Sequence, residues 1–365
     1  MCQNGTFPVR RLTKTKQGRG IMKKFFLIIC IAAGTTSALA QYTPTVHGTV
    51  RSKYEYQTEE GEGRFMVRTA RVSLDGKVVE KVSYKAEIDL CDEGNIKMLD
   101  AYVRITPFSK FDFTIGQMRV PFTIDAHRSP HQQYFANRSF IAKQVGNVRD
   151  VGATVGYTFK GSCPITLQAG LFNGSGLSNQ KDFWTKSVNF STKAQIMFPK
   201  GFNVTLSMQK IRPECCTVMM YDGGAYYHGN GWHIEAEYLY KHYGSNAFDA
   251  VNAFDSFISY DFELKKKDKW LIKKITPLVR YDYMDDHSDA EEWAVDDEGN
   301  QLATCVVDDV KRGRLTAGVT FGLSTKPFVS DIRLNYEKYF YDDNRKADAA
   351  VSERDKVVVE FMVRF

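Results

Sequence analysis

Apolar and polar residues alternate along most of this chain from about residue 45 onwards. Residues 84–90, with the sequence YKAEIDL, show the pattern clearly, and it recurs in residues 99–105, 234–240 and 332–338. A period of two is typical of a β-strand that has one apolar and one polar face. The pattern therefore predicts an all-β protein.

Turn signals divide the alternating region into about sixteen strands. Many of these strands are about ten residues long, which is the length that a tilted strand needs to cross a bilayer. The predicted strands lie at 45–58, 64–77, 82–91, 96–106, 110–119, 151–159, 164–172, 187–198, 201–211, 219–228, 231–242, 253–264, 272–284, 312–324, 329–342 and 355–365. A soluble β-sandwich shows the same alternation in any single strand, but so many amphipathic strands without helices favour a barrel.

The lengths of the connections also indicate a transmembrane antiparallel β-barrel. In such a barrel, short turns lie on the periplasmic side and long loops on the external side. Short turns follow even-numbered strands, at 107–110, 160–163, 199–201 and 229–231, and long connections follow odd-numbered strands, at 120–150, 173–186, 285–311 and 343–354. We therefore expect an outer-membrane barrel with its N-terminus in the periplasm.

The N-terminus has the features of an export signal. Two lysines precede the apolar run 25–33, and small residues before Gln41 offer a cleavage site. This run is shorter than the roughly 20 residues that a spanning helix needs. We interpret residues 1–40 as an upstream extension plus a cleavable signal peptide, with Met22 as the candidate true start, and residues 41–365 as the barrel domain.

Removal of the first 40 residues changes the charge balance. That segment holds 7 of the 49 Lys and Arg residues and none of the 43 Asp and Glu residues, so 42 basic residues remain against 43 acidic ones. The exported chain is near neutral, and its overall charge gives no indication of nucleic-acid binding. Any charge selectivity must therefore be local.

The cysteines that remain show no metal-binding or redox motif. Their spacing includes no C-x-x-C pair, which favours free thiols. A strained disulfide between the adjacent Cys215 and Cys216 is the alternative. The five residues are Cys91, Cys163, Cys215, Cys216 and Cys305. We expect no metal and no cofactor.

Several segments share their order and spacing with a known family. They are Arg68–Val78, Tyr84–Asp89, Asp100–Val103, Ile115–Gln117 with the following Pro121 and Phe122, Asn137–Phe140 and Arg149–Gly152. This pattern resembles the phosphate-selective porin O and P family. The resemblance implies a homotrimeric porin of a Gram-negative outer membrane, with a basic constriction that passes anions. The family includes members whose solute is unknown, so phosphate does not follow automatically.

The long connection 121–150 is the best candidate for that constriction. A connection of this length is usually functional or disordered. It follows the fifth strand, which makes it the third external loop, and in porins this loop folds into the barrel. Its aromatic residues would anchor it to the wall, and its basic side chains would replace part of an anion's hydration shell. These residues are Arg128, Arg138, Lys143 and Arg149.

The alternative is that these cations only neutralise carboxylates of the lumen wall, with Glu87, Asp89 and Asp100 as the obvious partners. Arginine nonetheless suits phosphate, because its planar group donates two hydrogen bonds at once.

A second group of candidate anion-binding residues lies on the first strands. Arg68 and Arg71 are three residues apart and cannot share one face of a regular strand. A β-bulge near Thr69 would turn both inward. They would then form a basic patch with Lys77, Lys85 and Arg104. In the alternative, one arginine lies near the rim and contacts lipopolysaccharide phosphate or a neighbouring subunit.

One segment does not fit a simple anion channel. Residues 285–309 contain ten acidic residues and no Lys or Arg. A solvated external loop is the simplest interpretation. If it lay over the pore mouth it would repel anions.

The sequence thus predicts a passive porin for small anionic solutes, with phosphate or polyphosphate as candidates. Alternatives are a general or oligosaccharide-permeable porin with weak charge selectivity, and a non-conducting structural or adhesive barrel. The histidines lie in no recognisable catalytic motif, so we expect no enzyme. Expected partners are outer-membrane lipid, lipopolysaccharide, further copies of the chain and, through Phe365, the barrel assembly machinery.

Overall fold

The computed structural model describes residues 42–145, 149–177, 180–264, 271–324, 329–342 and 345–365. Pro44–Phe365 forms one compact unit. The proposed signal peptide lies outside the described residues. Within the described ranges, no helix is both long enough and apolar enough to cross a membrane.

In the described ranges, nineteen strands make up almost all of the regular structure. They are β1 (Thr45–Gln57), β2 (Gly63–Val79), β3 (Val82–Asp92), β4 (Asn95–Phe108), β5 (Phe111–Arg119), β6 (Arg149–Phe159), β7 (Ile165–Phe172), β8 (Asn189–Met197), β9 (Phe202–Ile211), β10 (Val218–Gly229), β11 (Trp232–Tyr243), β12 (Val251–Tyr260), β13 (Phe262–Glu263), β14 (Lys274–Met284), β15 (Trp293–Val295), β16 (Gln301–Cys305), β17 (Arg312–Ser324), β18 (Val329–Tyr341) and β19 (Lys356–Arg364). An α-helix among the described residues, α1, spans Phe140–Gln144.

The strands form a closed antiparallel barrel. Each strand of the main sheet pairs with its neighbours in the chain, and β19 pairs with β1 from Thr49↔Arg364 to Gln57↔Lys356. The short β13 continues β12 and pairs with the same neighbour, β14, so the barrel has sixteen strands. Closure leaves no unpaired sheet edge.

Burial is inverted relative to a water-soluble protein. On β11, Ile234 and Tyr238 are 45% and 47% exposed, whereas the intervening Glu235 and Glu237 are each 1% exposed. The apolar face therefore points outward and the charged face points into the barrel, as a lipid-facing barrel requires. This arrangement excludes the soluble β-sandwich.

The predicted strands agree with the barrel strands to within two residues at either end. The predicted bulge near Thr69 is confirmed, because Arg51 pairs with Thr69 and Ser52 with Val67, which leaves Arg68 without a partner on β1. The sequence did not predict α1 or the β15–β16 hairpin, both of which lie in long connections. Each is too short for its own periodic signal and is held by contacts with the rest of the molecule.

Candidate pore lining

The described part of the connection between β5 and β6, residues 120–145, lies against inward-facing side chains of the barrel. Its backbone N–H groups donate to inward side chains of three distant strands: Thr123 to Ser207 Oγ at 3.1 Å, Ala136 to Asn335 Oδ1 at 2.8 Å and Phe140 to Asp282 Oδ2 at 3.1 Å. Buried backbone groups need such partners. The lumen side chains therefore supply hydrogen bonds that this segment cannot make within itself. We call residues 120–145 the inner segment.

Apolar packing fixes the second half of the inner segment. Phe140 and Ile141 are 1% and 0% exposed. The guanidinium groups of Arg312 and Arg314 lie 4.4 and 4.5 Å from the centre of the Phe140 ring. Ser139 caps α1, since its hydroxyl accepts from the Ala142 N–H. Contacts with the barrel wall and the hydrogen bond from its N-cap residue thus hold the helix in place.

Arg128 anchors the first half of the segment. Its Nη1 donates to Glu235 Oε1 at 2.7 Å, and its Nη2 donates to the other oxygen of the same carboxylate. The guanidinium also lies over the rings of Tyr134 and Phe257. Burial disfavours the charged form of Arg128, but the attraction and hydrogen bonds of Glu235 favour it. The pKa of Arg128 is therefore raised above its usual value. Arg128 is therefore a structural anchor rather than a free cation.

Arg138 is different, because it makes no ion pair with a described carboxylate. It donates to the backbone carbonyls of Asp125 and Arg128, each at 2.9 Å. Burial lowers the pKa of Arg138 to about 10, with Asp125 opposing the shift and Arg71 and Arg51 adding to it. Its positive charge is thus held by carbonyl dipoles, and Asp125 attracts it without forming an ion pair.

Three of the predicted cations belong to a wall network of ion pairs. The pairs are Arg71 with Asp89 at 2.9 Å and Glu87 at 3.4 Å, Lys85 with Glu87 at 2.8 Å and Asp100 at 3.0 Å, and Arg149 with Asp100 at 2.7 Å and Glu87 at 3.3 Å. The carboxylates are those that the sequence suggested as partners. For these three residues, the structure matches the alternative in which cations neutralise the wall.

Two further candidates lie towards the external rim. Lys143 pairs with Glu353 at 2.7 Å. Arg68 pairs with Asp92 at 2.7 Å and Glu93 at 3.5 Å, at the turn between β3 and β4. Both nevertheless line an internal cavity, described below.

The remaining two candidates lie away from the inner segment's contacts. The Arg104 Nε donates to Thr114 Oγ1 at 3.0 Å, and its guanidinium lies 5.3 Å from the centre of the Tyr102 ring. Lys77 is exposed near the periplasmic end of β2. The structure therefore does not gather all nine predicted residues into one constriction.

The inner segment separates two cavities that share Gln133. The external vestibule, of about 460 Å³, opens beside the β3–β4 turn, at Glu93, and beside the β18–β19 connection, at Ser352 and Glu353. The periplasmic vestibule, of about 870 Å³, opens among the turns that follow even-numbered strands. This geometry divides the lumen into two compartments.

The external vestibule is rich in cations. Three acidic side chains line it: Glu55, Glu93 and Glu353. Eight basic side chains line it: Arg51, Lys53, Arg64, Arg68, Arg138, Lys143, Arg314 and Lys356. The sequence analysis did not single out Arg51, Lys53, Arg64, Arg314 or Lys356. On β1 the sequence does carry a signal for a lumen-facing side, because alternate positions from Thr49 to Glu55 are polar.

The acidic segment 285–309 forms a hairpin outside this cavity. The strands β15 and β16 pair with each other, and the tip at Asp296 is exposed. Asp286 pairs with Arg345 at 2.7 Å and Asp309 with Arg312 at 3.1 Å. The residues that line the external vestibule lie outside this segment.

Comparison with known proteins agrees with this geometry. The sequence model of the family described as phosphate-selective porin O and P matches residues 41–195. No curated protein sequence matches the chain. The resemblance predicted from the sequence is confirmed over the matched residues.

Solved porin structures share the fold at low sequence identity. The anion-selective porin from Comamonas acidovorans is 11% identical, with a TM-score of 0.58, over 88% of this chain and 99% of that one. Pseudomonas putida OprB is 10% identical, with a TM-score of 0.57, over 91% and 96%. The trimer form of OmpT from Vibrio cholerae is 11% identical, with a TM-score of 0.56, over 89% and 99%.

The barrel, its inverted burial and the family match point to the same class of protein, whose members are channels rather than enzymes. Residues 41–195 are thus similar to the phosphate-selective porin O and P family, and the chain is an outer-membrane β-barrel of a Gram-negative bacterium.

Proposed function

We propose that this protein is a passive porin for small anions, and that phosphate or polyphosphate is the solute class to test first. The observation that carries the proposal is the excess of basic over acidic side chains that line the external vestibule, where two of the cations are much more exposed than the carboxylates they pair with. The side chains of Arg64 and Lys143 are 53% and 50% exposed, whereas their partners Glu55 and Glu353 are 5% and 4% exposed.

This arrangement presents positive charge to a permeating solute. In these two pairs the carboxylate lies behind the cation, whereas Glu93 is 55% exposed beside Arg68 at 31%. The lining as a whole still has eight basic side chains against three acidic ones. In a narrow passage with low-dielectric walls, such a surface attracts anions. Arg138 lies further inside and has no carboxylate partner among the described residues, so an anion that leaves the vestibule meets a second cation.

The test is the reversal potential of the protein in planar bilayers under a potassium chloride gradient, with phosphate titrated in. Arg128→Gln, Arg138→Gln, Lys143→Gln and Arg149→Gln are measured in parallel. We expect a chloride-selective wild type whose current phosphate reduces, and a loss of selectivity in the Arg138 and Lys143 variants. A non-selective or cation-selective wild type would overturn the proposal, and no conductance would favour a structural or adhesive barrel.

The periplasmic vestibule supports a second candidate function, the passage of oligosaccharides. The ring of His233 stacks on Tyr134 and Phe257, with centroids 4.5 and 5.1 Å apart, and Gln195 donates to the hydroxyl of Tyr226 at 3.2 Å. Apolar ring faces beside a few polar groups are common in ligand pockets. Liposome swelling with neutral sugars and with anions of equal mass separates the candidates. Faster entry of sugars would favour this one.

We also propose that the porin is a homotrimer that contacts lipopolysaccharide, and that Phe365 is read by the barrel assembly machinery. The family match and the trimeric form of the Vibrio OmpT support assembly. Chemical cross-linking in native membranes should give a species of three chains. Deletion of Phe365 should lower the amount of assembled barrel, whereas unchanged assembly would remove the proposed role of that residue.

A further inference from the structure

Three cysteines from two separate external connections meet at one place. Cys215 and Cys216 lie between β9 and β10, and Cys305 ends β16. Cys305 is 2% exposed in an apolar cluster, and the other two cysteines pack against that cluster. The described cysteines are all free thiols in this structure.

Backbone hydrogen bonds bring the two connections together without any covalent link. Cys215 N donates to Ala290 O at 2.9 Å, which joins the two connections directly. Cys305 N donates at 2.8 Å to Ala247 O, in the neighbouring connection between β11 and β12. The thiols of Cys215 and Cys216 both interact electrostatically with the Cys305 thiol. Its burial and its two thiol neighbours distinguish it from Cys163, which is exposed at a turn.

We propose that Cys305 forms a disulfide with the Cys215–Cys216 pair and so fastens the β15–β16 hairpin to the connection between β9 and β10. An exported protein folds where disulfides form and persist. In the reaction, the two thiols lose two protons and two electrons as the S–S bond forms. The electrons reduce the disulfide of a periplasmic thiol oxidant to two thiols, by way of a mixed disulfide.

The third cysteine makes the bond exchangeable. Once Cys305 is linked to one member of the pair, the thiol of the other member can attack the bond and take its place. The competing link between Cys215 and Cys216 is strained, because adjacent residues seldom reach disulfide geometry. A link to Cys305 has no such restriction and also closes a long loop, which favours the folded state.

The link would fix the acidic hairpin beside the pore mouth. The Ser288 carbonyl, at the base of this connection, already accepts hydrogen bonds from Lys241 Nζ and from Tyr243 Oη at 2.5 and 2.6 Å. A disulfide at Cys305 would hold the hairpin at a second point. The tip at Asp296 would then stay clear of the external vestibule and would not obstruct anion entry.

Peptide mapping of the full-length protein from native outer membranes tests the proposal. The protein is denatured, alkylated without reduction and digested with trypsin. We expect a linked species of the peptides Ile211–Lys241 and Tyr281–Lys311, which a reductant separates. Complete alkylation of all three cysteines, or a bond confined to Ile211–Lys241, would overturn the proposal. Alkylated Cys163 serves as the internal control.

Variants identify the residues responsible. Cys305→Ser should abolish the linked species, whereas Cys163→Ser should leave it unchanged. Cys215→Ser and Cys216→Ser should each retain a link, because either thiol can pair with Cys305, and the double variant should lose it. Persistence of the linked species in Cys305→Ser would contradict the assignment. Heat-modified mobility in gels confirms that each variant has folded into a barrel.

Discussion

Both terminal nitrogens of Arg128, in the inner segment, donate hydrogen bonds to the carboxylate of Glu235 on β11, with an Nη1–Oε1 distance of 2.7 Å. The two residues are 107 positions apart in the chain. Glu235 is 1% exposed. The pair therefore ties the segment that divides the lumen to the wall, and it does so at a place where neither charge is well hydrated.

Removal of one member of this pair should loosen the inner segment. Arg128→Gln leaves a buried carboxylate without its counter-charge, which typically costs about 3–5 kcal/mol. We expect a larger and noisier single-channel conductance and a lower thermal transition in detergent. Lys143→Gln is the matched control, since Lys143 is half-exposed and its partner Glu353 keeps Arg312 as a second partner, so we expect a loss of about 0–1 kcal/mol. Equal transitions for both variants would argue against an anchoring role.

Arg138 should contribute more to selectivity than other arginines of the lumen. Removal of its charge in Arg138→Gln should lower the anion-to-cation permeability ratio roughly fivefold, corresponding to about 1 kcal/mol for one partly screened charge. Arg104→Gln is the control, because Arg104 also makes no ion pair with a described carboxylate but lies away from the inner segment's contacts. Reversal potentials at low and high salt measure both. An equal effect of the two variants would contradict a special position for Arg138.

The stability of the barrel should depend on pH because the pKa of His131 differs between the folded and the unfolded chain. Burial and the nearby Arg364 lower the pKa of His131 to about 4, and Arg364 Nη1 lies 2.8 Å from its Nε2. The unfolded chain binds this proton near pH 6.5, so it holds more protons than the folded chain between about pH 6.5 and 4. Stability from this group should therefore fall as the pH drops through that window and level off below it.

Thermal unfolding of wild type and His131→Gln across pH 3.5–8 tests this expectation, with the difference between the two proteins as the readout. The subtraction removes the carboxylates that titrate in both. The difference should change between about pH 6.5 and 4. A difference that is constant over the whole range would show that the histidine is not perturbed.

Gly116 on β5 should tolerate no side chain. Its φ is +129°, and an added Cβ would lie 2.3 Å from Ala101 O and 2.8 Å from Tyr102 Cα, both backbone atoms of β4. We expect Gly116→Ala to lower barrel stability by about 1–3 kcal/mol through backbone strain alone. Gly161→Ala is the control, because nothing lies within 4 Å of its added Cβ. Gel mobility before and after heating compares the folded fractions, and equal fractions would contradict the prediction.

The inner segment shows why its details could not be derived from the sequence. Its length and basic residues marked it as a candidate constriction. Which of its cations remain unpaired depends on carboxylates more than a hundred residues away, such as Glu235 for Arg128 and Glu353 for Lys143. Arg138 stands out because it forms no ion pair with a described carboxylate, and no local sequence pattern indicates that.

The sequence by itself determined the barrel. A strand in a closed membrane barrel must alternate between lipid and lumen and must make its hydrogen bonds with its neighbours, so the period of two and the turn spacing fixed the strands and their order. Tertiary structure alone decided the pore's interior. Closure brings side chains from opposite parts of the chain into one lumen, and their pairing depends on distances of a few ångströms. The two vestibules, the anchoring by Glu235 and the meeting of Cys305 with Cys215 and Cys216 all arise in this way.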